Sequence, residues 1–185
     1  METAERIDYL TVEEYFAAED QSEVRHEYLG GLVYAMAGET RDHNRIASNI
    51  FKLLDRHLAG GPCQTYTAGV RVNFKLRTDD YYYYPDLIVT CDRRDTHPQF
   101  VQHPKLLIEV LSPSTERVDR REKLFAYQAI ESLEEYVLIG QDQRKVTVFR
   151  RAHDWKAEKT FGPDASVSLV SLALSLPLAA SYEGL

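Results

Sequence analysis

Two nearly continuous apolar runs, Tyr83 to Thr90 and Lys105 to Leu111, constrain the fold more than any other feature of the sequence. A strand that alternates polar and apolar residues covers one face of a sheet, whereas an unbroken run must be covered on both. These segments therefore predict strands at the centre of a sheet with layers above and below. Each run is interrupted by an acid, Asp86 directly after Pro85 and Glu109 near the end of Lys-Leu-Leu-Ile-Glu-Val-Leu. Carboxylates are rarely buried unless paired, protonated or bound to a cation, so both need a partner. Pro85 has no ladder donor and marks a strand entrance or bulge, which puts Asp86 at the mouth of the sheet.

The rest of the chain supplies the covering layers. Thr11 and Glu14 form a capping box opening a short helix to about Ala18. The run His26 to Ala37, with Gly30-Gly31 between β-favouring stretches, reads as a hairpin. From Arg41 to Leu58, the residues Ile46, Ile50, Leu53, Leu54 and Leu58 recur at helical spacing, and Gly60-Gly61-Pro62 closes the helix. Gln64 to Leu76 alternates Val70, Val72, Phe74 and Leu76 with polar residues and reads as one strand. Asp119 and Glu122 read as a second capping box, opening a helix that reaches about Ile130. Glu135 to Gly140 and Lys145 to Arg151 are strands around the turn Gln141 to Arg144. The first should run parallel to the strand of Ile108, through a right-handed crossover. The serine-rich tail Ala165 to Ala180, interrupted by Pro177, reads as a final strand and an extended end rather than a helix.

With 185 residues the chain fits one domain, and its composition is that of a globular protein without a membrane-length apolar stretch. A formal net charge of −7 is the wrong sign for coating nucleic acid by bulk charge, so a phosphate partner must be met by a local site. Cys63 and Cys91 have no ligand spacing and read as buried thiols rather than a disulfide. Met1 to Leu10 lacks the apolar core of a signal peptide, so a cytoplasmic location is expected. No Gly-x-Ser-x-Gly, Walker loop or His-Glu-x-x-His is present, which disfavours nucleophilic and zincin chemistry.

If the strands of Asp86 and Glu109 are antiparallel neighbours, the start of one lies beside the end of the other, and the two acids meet although 23 positions separate them. Converging carboxylates repel, and a divalent oxygen-loving ion such as magnesium relieves the conflict. Phosphate chemistry also benefits from a fixed cationic donor. Lys123 is the candidate, with Tyr127 one turn along the same helix face. More ordinary roles compete. Asp86 could pair with an arginine such as Arg71, Glu109 could sit in a buried salt bridge, and Lys123 could be a solvated helix residue. Tyr81 to Tyr84 could stack bases or simply reflect strand composition, and Arg117, Arg120, Arg121 and Lys123 form a basic stretch diluted by Asp119 and Glu122.

Pro85-Asp86, Glu109-Val110-Leu111-Ser112-Pro113-Ser114-Thr115 and Glu122-Lys123-Leu124 with Tyr127 together resemble the Uma-two family of restriction-endonuclease-like proteins, within the PD-(D/E)xK nuclease superfamily. The likeness extends to His26-Glu27-Tyr28-Leu29, the helix beginning near His43, and Leu176-Pro177-Leu178. The resemblance implies an α/β fold, a mixed central β-sheet flanked by helices, with an N-terminal helix and β-hairpin. Residues 1–38 would be accessory, 39–151 the nuclease-like core and 152–185 a C-terminal extension. It implies that Asp86 and Glu109 bind a metal ion, that the Val110 carbonyl adds a ligand and that Lys123 orients or activates water. Glu27, His43 and Tyr127 are auxiliary candidates. The superfamily lysine two positions after the glutamate is replaced by Leu111, so its role must have moved to Lys123. The expected protein is a Mg²⁺- or Mn²⁺-dependent endonuclease acting on DNA, with a homodimer as a reasonable assembly. The competing expectation is a catalytically inactive nuclease-fold module that binds nucleic acid or serves assembly.

Overall fold

The computed structural model describes residues 9–36, 38–112 and 116–185. The Met1 to Leu10 segment read for an export signal, the Ala37 end of the hairpin and the Pro113-Ser114-Thr115 part of the motif fall partly or wholly outside these residues. Helix α1 (Val12–Glu19) carries the expected Thr11/Glu14 capping box and is followed by the hairpin β1 (His26–Leu29) and β2 (Leu32–Ala35). Gly30 and Gly31 both take positive φ in its turn, a conformation that a side chain disfavours. Helix α2 spans Arg41–Leu58 as the periodicity predicts, and Thr40 caps it by accepting the His43 N–H.

The segment read as a single strand from Gln64 to Leu76 is two strands. β3 (Gln64–Thr67) and β4 (Arg71–Leu76) belong to different sheets and part around Gly69. Tyr83 to Thr90 is divided in the same way between β5 (Asp79–Tyr83) and β6 (Leu87–Thr90). The chain thus changes sheets at Tyr84-Pro85-Asp86, where proline removes a ladder donor. β7 (Phe100–Val101) and β8 (Pro104–Leu111) follow.

The helical crossover is irregular. It runs through α3 (Glu116–Val118), a π-helical turn (Asp119–Lys123) and α4 (Leu124–Tyr127). The expected capping box at Asp119 is therefore absent, since the chain is already helical at Glu116, and regular helix ends before Ile130. Strands β9 (Glu135–Gly140), β10 (Lys145–Arg150) and β11 (Ala157–Phe161) come next. The tail forms a hairpin of β12 (Ser166–Leu169) and β13 (Leu174–Pro177) and then a short helix α5 (Leu178–Ser181), more structure than one strand and an extended end. Pro177 lies immediately before α5 and opens that helix instead of blocking it.

Among the described residues the main sheet has the order β11-β10-β9-β8-β6-β3, and a second has the order β2-β1-β5-β4-β7. The main sheet is mixed: β8 pairs antiparallel with β6 and parallel with β9, where Leu107 lies opposite Tyr136. Its two faces are separate cores. Leu106, Ile108 and Val110 pack with Ile46, Ile50 and Leu54 of α2, while Leu107 and Leu111 pack with Val72, Tyr83, Tyr127 and Leu133. Burial of β8 on both sides follows from its unbroken apolar run.

Cys63 and Cys91 form a disulfide, contrary to the thiol reading. The pairing of Gln64 with Thr90 places the residues just outside those positions opposite one another. The bridge is set by cross-strand register, which spacing along the chain does not display.

Candidate active site

Leu87 lies opposite Ile108 in the antiparallel β6–β8 pair, so the next register position sets Asp86 against Glu109. Asp86 and Glu109 are respectively 8% and 4% exposed. Asp86 Oδ2 accepts the Val110 N–H at 2.6 Å and stands 3.2 Å from His43 Nε2. Arg71 does not pair with Asp86 as one reading expects. Its guanidinium donates to the Tyr84 hydroxyl and stacks over Phe16.

Glu109 is met from the other core. Its Oε1 accepts from Lys123 Nζ at 3.0 Å and from the Tyr127 hydroxyl at 3.2 Å. The same ammonium lies 3.1 Å from Glu27 Oε1 and 3.4 Å from Asp119 Oδ1. Lys123 is 6% exposed, so the solvated-helix reading fails for it. A π-helical turn holds Asp119 and Lys123, and such turns recur at functional sites. Tyr136 donates to the Asp119 carbonyl and fixes this turn on the sheet.

Glu27 arrives from the second sheet. Glu19 at the end of α1 accepts from the His26 N–H and the Tyr84 hydroxyl, and the Tyr84 N–H donates to Glu27. The N-terminal helix and hairpin thereby set one wall of the site.

Four carboxylates, of Glu27, Asp86, Glu109 and Asp119, thus surround one ammonium and one imidazole. Burial pushes the Glu109 carboxyl well above its ordinary value. Lys123 opposes the shift, and Asp119, Asp86 and Glu27 add to it. Burial pulls Lys123 toward neutrality, yet Glu109, Glu27 and Asp119 together outweigh it and hold the ammonium well above its ordinary value. Burial likewise opposes charge on His43, but the bond to Asp86, with Glu39 and the Val110 backbone, raises its pKa. Burial and the Glu109 charge push the Tyr127 hydroxyl well up, so it remains a donor.

A second group adjoins the first. Ligand atoms of Glu39, His43 and Asp86 all lie within 4.8 Å of one another, a geometry that could hold a metal ion. His43 Nδ1 is buried without a hydrogen bond among the described residues and faces Glu39 Oε2 at 3.6 Å.

Asp86, Glu109, Lys123, Tyr127, Glu27 and His43, the residues the sequence marks, all meet at the sheet end. Asp119 and Glu39 join them without having been marked as site residues by the sequence. Asp119 stands one helical turn before Lys123, an available signal, whereas Glu39 precedes the Thr40 cap of α2 and no helical spacing marks it. In the tyrosine run Tyr82, Tyr83 and Tyr84 are buried, and the half-buried Tyr81 stacks on Phe74. The basic stretch is also broken up, with Lys123 inside the site and Arg120 paired to Glu116.

The family described as "Uma2: Putative restriction endonuclease" matches residues 12–180. An uncharacterised protein of Synechocystis sp. is 34% identical over 179 residues, covering 95% of this chain and 93% of the relative. A second from the same organism is 28% identical over 163 residues, covering 85% and 91%. The crystal structure of "a putative nuclease belonging to DUF820" from Anabaena variabilis superposes with a TM-score of 0.77 at 21% identity, covering 94% of this chain and 97% of that one. That likeness establishes a shared fold.

Proposed function

The chain belongs to the Uma-two (Uma2) family, and from that premise we propose that it is a divalent-metal-dependent nuclease hydrolysing phosphodiester bonds of DNA. The observation that carries the reading is the surplus of carboxylates at the sheet end, where Glu27, Glu109 and Asp119 share the one ammonium of Lys123 and Asp86 stands beside Glu109 in register. A Mg²⁺ or Mn²⁺ ion would relieve that surplus, and the donors suit it: carboxylate oxygens of Asp86 and Glu109 and the Val110 carbonyl are hard ligands. Within a strand, a residue's N–H and C=O face the same neighbour. The Val110 carbonyl is therefore turned toward Asp86, whose carboxylate already accepts its N–H. His43, oriented by Glu39, is the adjoining nitrogen donor.

When bound, the ion would polarise a phosphodiester oxygen and lower the pKa of water. The chain's own groups do the rest. Asp86 and Glu109 fix the position of positive charge at the sheet end. Lys123, kept protonated by three carboxylates, holds a donor toward the charge that builds on the phosphate oxygens. Glu27 and Asp119 position that ammonium, and Tyr127 orients Glu109.

The test combines a cleavage assay across DNA forms in Mg²⁺ and Mn²⁺ with thermal unfolding during Mn²⁺ titration. Wild type should cleave and gain stability, and Asp86→Asn with Glu109→Gln should do neither. An absent Mn²⁺ shift in wild type would remove the metal from the reading. The second reading is a nuclease-fold module that binds nucleic acid without cutting it. It draws support from Leu111 at the superfamily lysine position and from the full engagement of Lys123 by carboxylates. A shift without cleavage of any nucleic acid would favour it.

A further inference from the structure

Along α2 one side of the helix carries the exposed Arg41, Asn44, Arg45 and Lys52 with the half-buried Ser48 between them. They line a cleft of about 570 Å³. Among the described residues no ion pair within 4 Å involves Arg41, Arg45 or Lys52. Lys75, Arg94, Lys105, Arg120 and Arg150, by contrast, are each held by an acid. The cleft therefore concentrates unneutralised positive charge on a chain whose net charge is −7.

Its position links it to the candidate active site. Glu39 lines the end of the cleft and also faces His43, whose other nitrogen meets Asp86. The N-terminal part of α2 thus presents His43 inward to the acids and Arg41 and Arg45 outward to solvent. Thr40 binds Gln141 in the β9–β10 turn and holds that turn of the helix against the sheet.

We propose that this face of α2 is the docking track for the sugar-phosphate backbone of duplex DNA, leading a strand toward Asp86 and Glu109. The inference rests on the nuclease reading for its direction, though the surface itself stands on Arg41, Arg45 and Lys52, which no acid pairs among the described residues. From Arg41 to Lys52 the helix rises about 16 Å, the axial length of roughly five base pairs. Guanidinium forks and an ammonium match phosphate oxygens, and Asn44 and Ser48 supply neutral donors between them. Glu39, the one acid lining the cleft among the described residues, stands at its inner end, where a cation bound near Asp86 and His43 would offset it.

The test is binding of labelled duplex DNA in metal-free buffer, followed by fluorescence anisotropy over a range of NaCl concentrations. Removing three phosphate contacts in Arg41→Ala/Arg45→Ala/Lys52→Ala should lower the magnitude of the log–log salt slope by about 2.7 and weaken binding about ten-fold or more at low salt. Arg117→Ala with Arg121→Ala should leave the slope at its wild-type value. The triple variant should unfold at the wild-type temperature, because all three side chains are exposed. A wild-type slope in the triple variant overturns the proposal, as does loss of binding in the Arg117/Arg121 pair alone or no DNA binding by wild type. Binding that depends on α2 without cleavage in Mg²⁺ or Mn²⁺ would uphold the track while the nuclease reading fell. Cleavage with an unchanged triple variant would do the reverse.

Discussion

Lys123 Nζ lies 3.0 Å from Glu109 Oε1, and both side chains are buried in the same core layer. Removing one member of such a pair leaves the other's charge uncompensated, which typically costs about 3–5 kcal/mol. Here Glu27 and Asp119 lose the same cation. Lys123→Ala should therefore lower the unfolding free energy at neutral pH by about that amount, and by less in acid, where the carboxyls protonate. Cleavage by the folded fraction should fall about 100- to 1000-fold. Urea unfolding at two pH values and single-turnover cleavage measure both. Unchanged values for each would place the lysine outside the mechanism and outside the charge balance.

Glu109 gives a prediction of opposite sign. Its carboxyl titrates well above the ordinary 4.5, mainly through burial. A raised carboxyl pKa means that the folded state holds the proton more tightly than the unfolded chain. The stability it confers is present below 4.5 and is lost as pH rises through the folded-state value. Glu109→Gln removes this loss, so in EDTA its melting temperature should decline less between acid and neutral pH than that of wild type. It should also lose the Mn²⁺-induced shift. A decline as steep as wild type would show that Glu109 is not the group carrying the strain.

The meeting of Asp86 and Glu109 was legible because burial on both faces leaves its mark in composition, and antiparallel order then fixes which ends are adjacent. Lys123 and Tyr127 were legible from helical spacing. What failed has a common cause. Alternation continues through Gly69, and apolar character through Pro85, so neither pattern shows that the chain leaves one sheet for the other. Asp119 resembles a helix cap because acids favour both caps and sites, and only the earlier start at Glu116 separates the two. The partnership of Cys63 and Cys91 depends on register between strands, and register is a property of the fold rather than of spacing.

His43 is held between Asp86 and Glu39, and the interactions that favour its charge outweigh the burial that opposes it, raising its pKa above 6.5. For a raised histidine the stabilisation is complete below the unfolded value and disappears as pH rises through the folded one. Wild type without metal should accordingly lose stability above pH 6.5, and His43→Gln should lack that component. An NMR titration should place the His43 imidazole above 6.5 in wild type. In Asp86→Asn it should titrate lower, because burial then meets less opposition. A titration at or below 6.5 in wild type would contradict the ion pair.

The Cys63–Cys91 bridge closes a sequence separation of 28 and ties β3 to β6, the strand that begins beside Asp86. Loop-closure entropy for that length corresponds to about 3.6 kcal/mol, so Cys63→Ser with Cys91→Ser should lower the unfolding free energy by roughly 2–4 kcal/mol. Reduction of wild type should produce the same fall. Asp86 and Cys91 stand at opposite ends of β6, about 16 Å apart along an extended chain. The Mn²⁺-induced shift should therefore survive in the serine variant, measured against its own lower baseline. Urea unfolding with and without reductant tests the first part, and metal titration of the variant tests the second. Loss of the Mn²⁺ response while the variant stays folded would mean that the bridge positions Asp86 as well as restraining the unfolded chain.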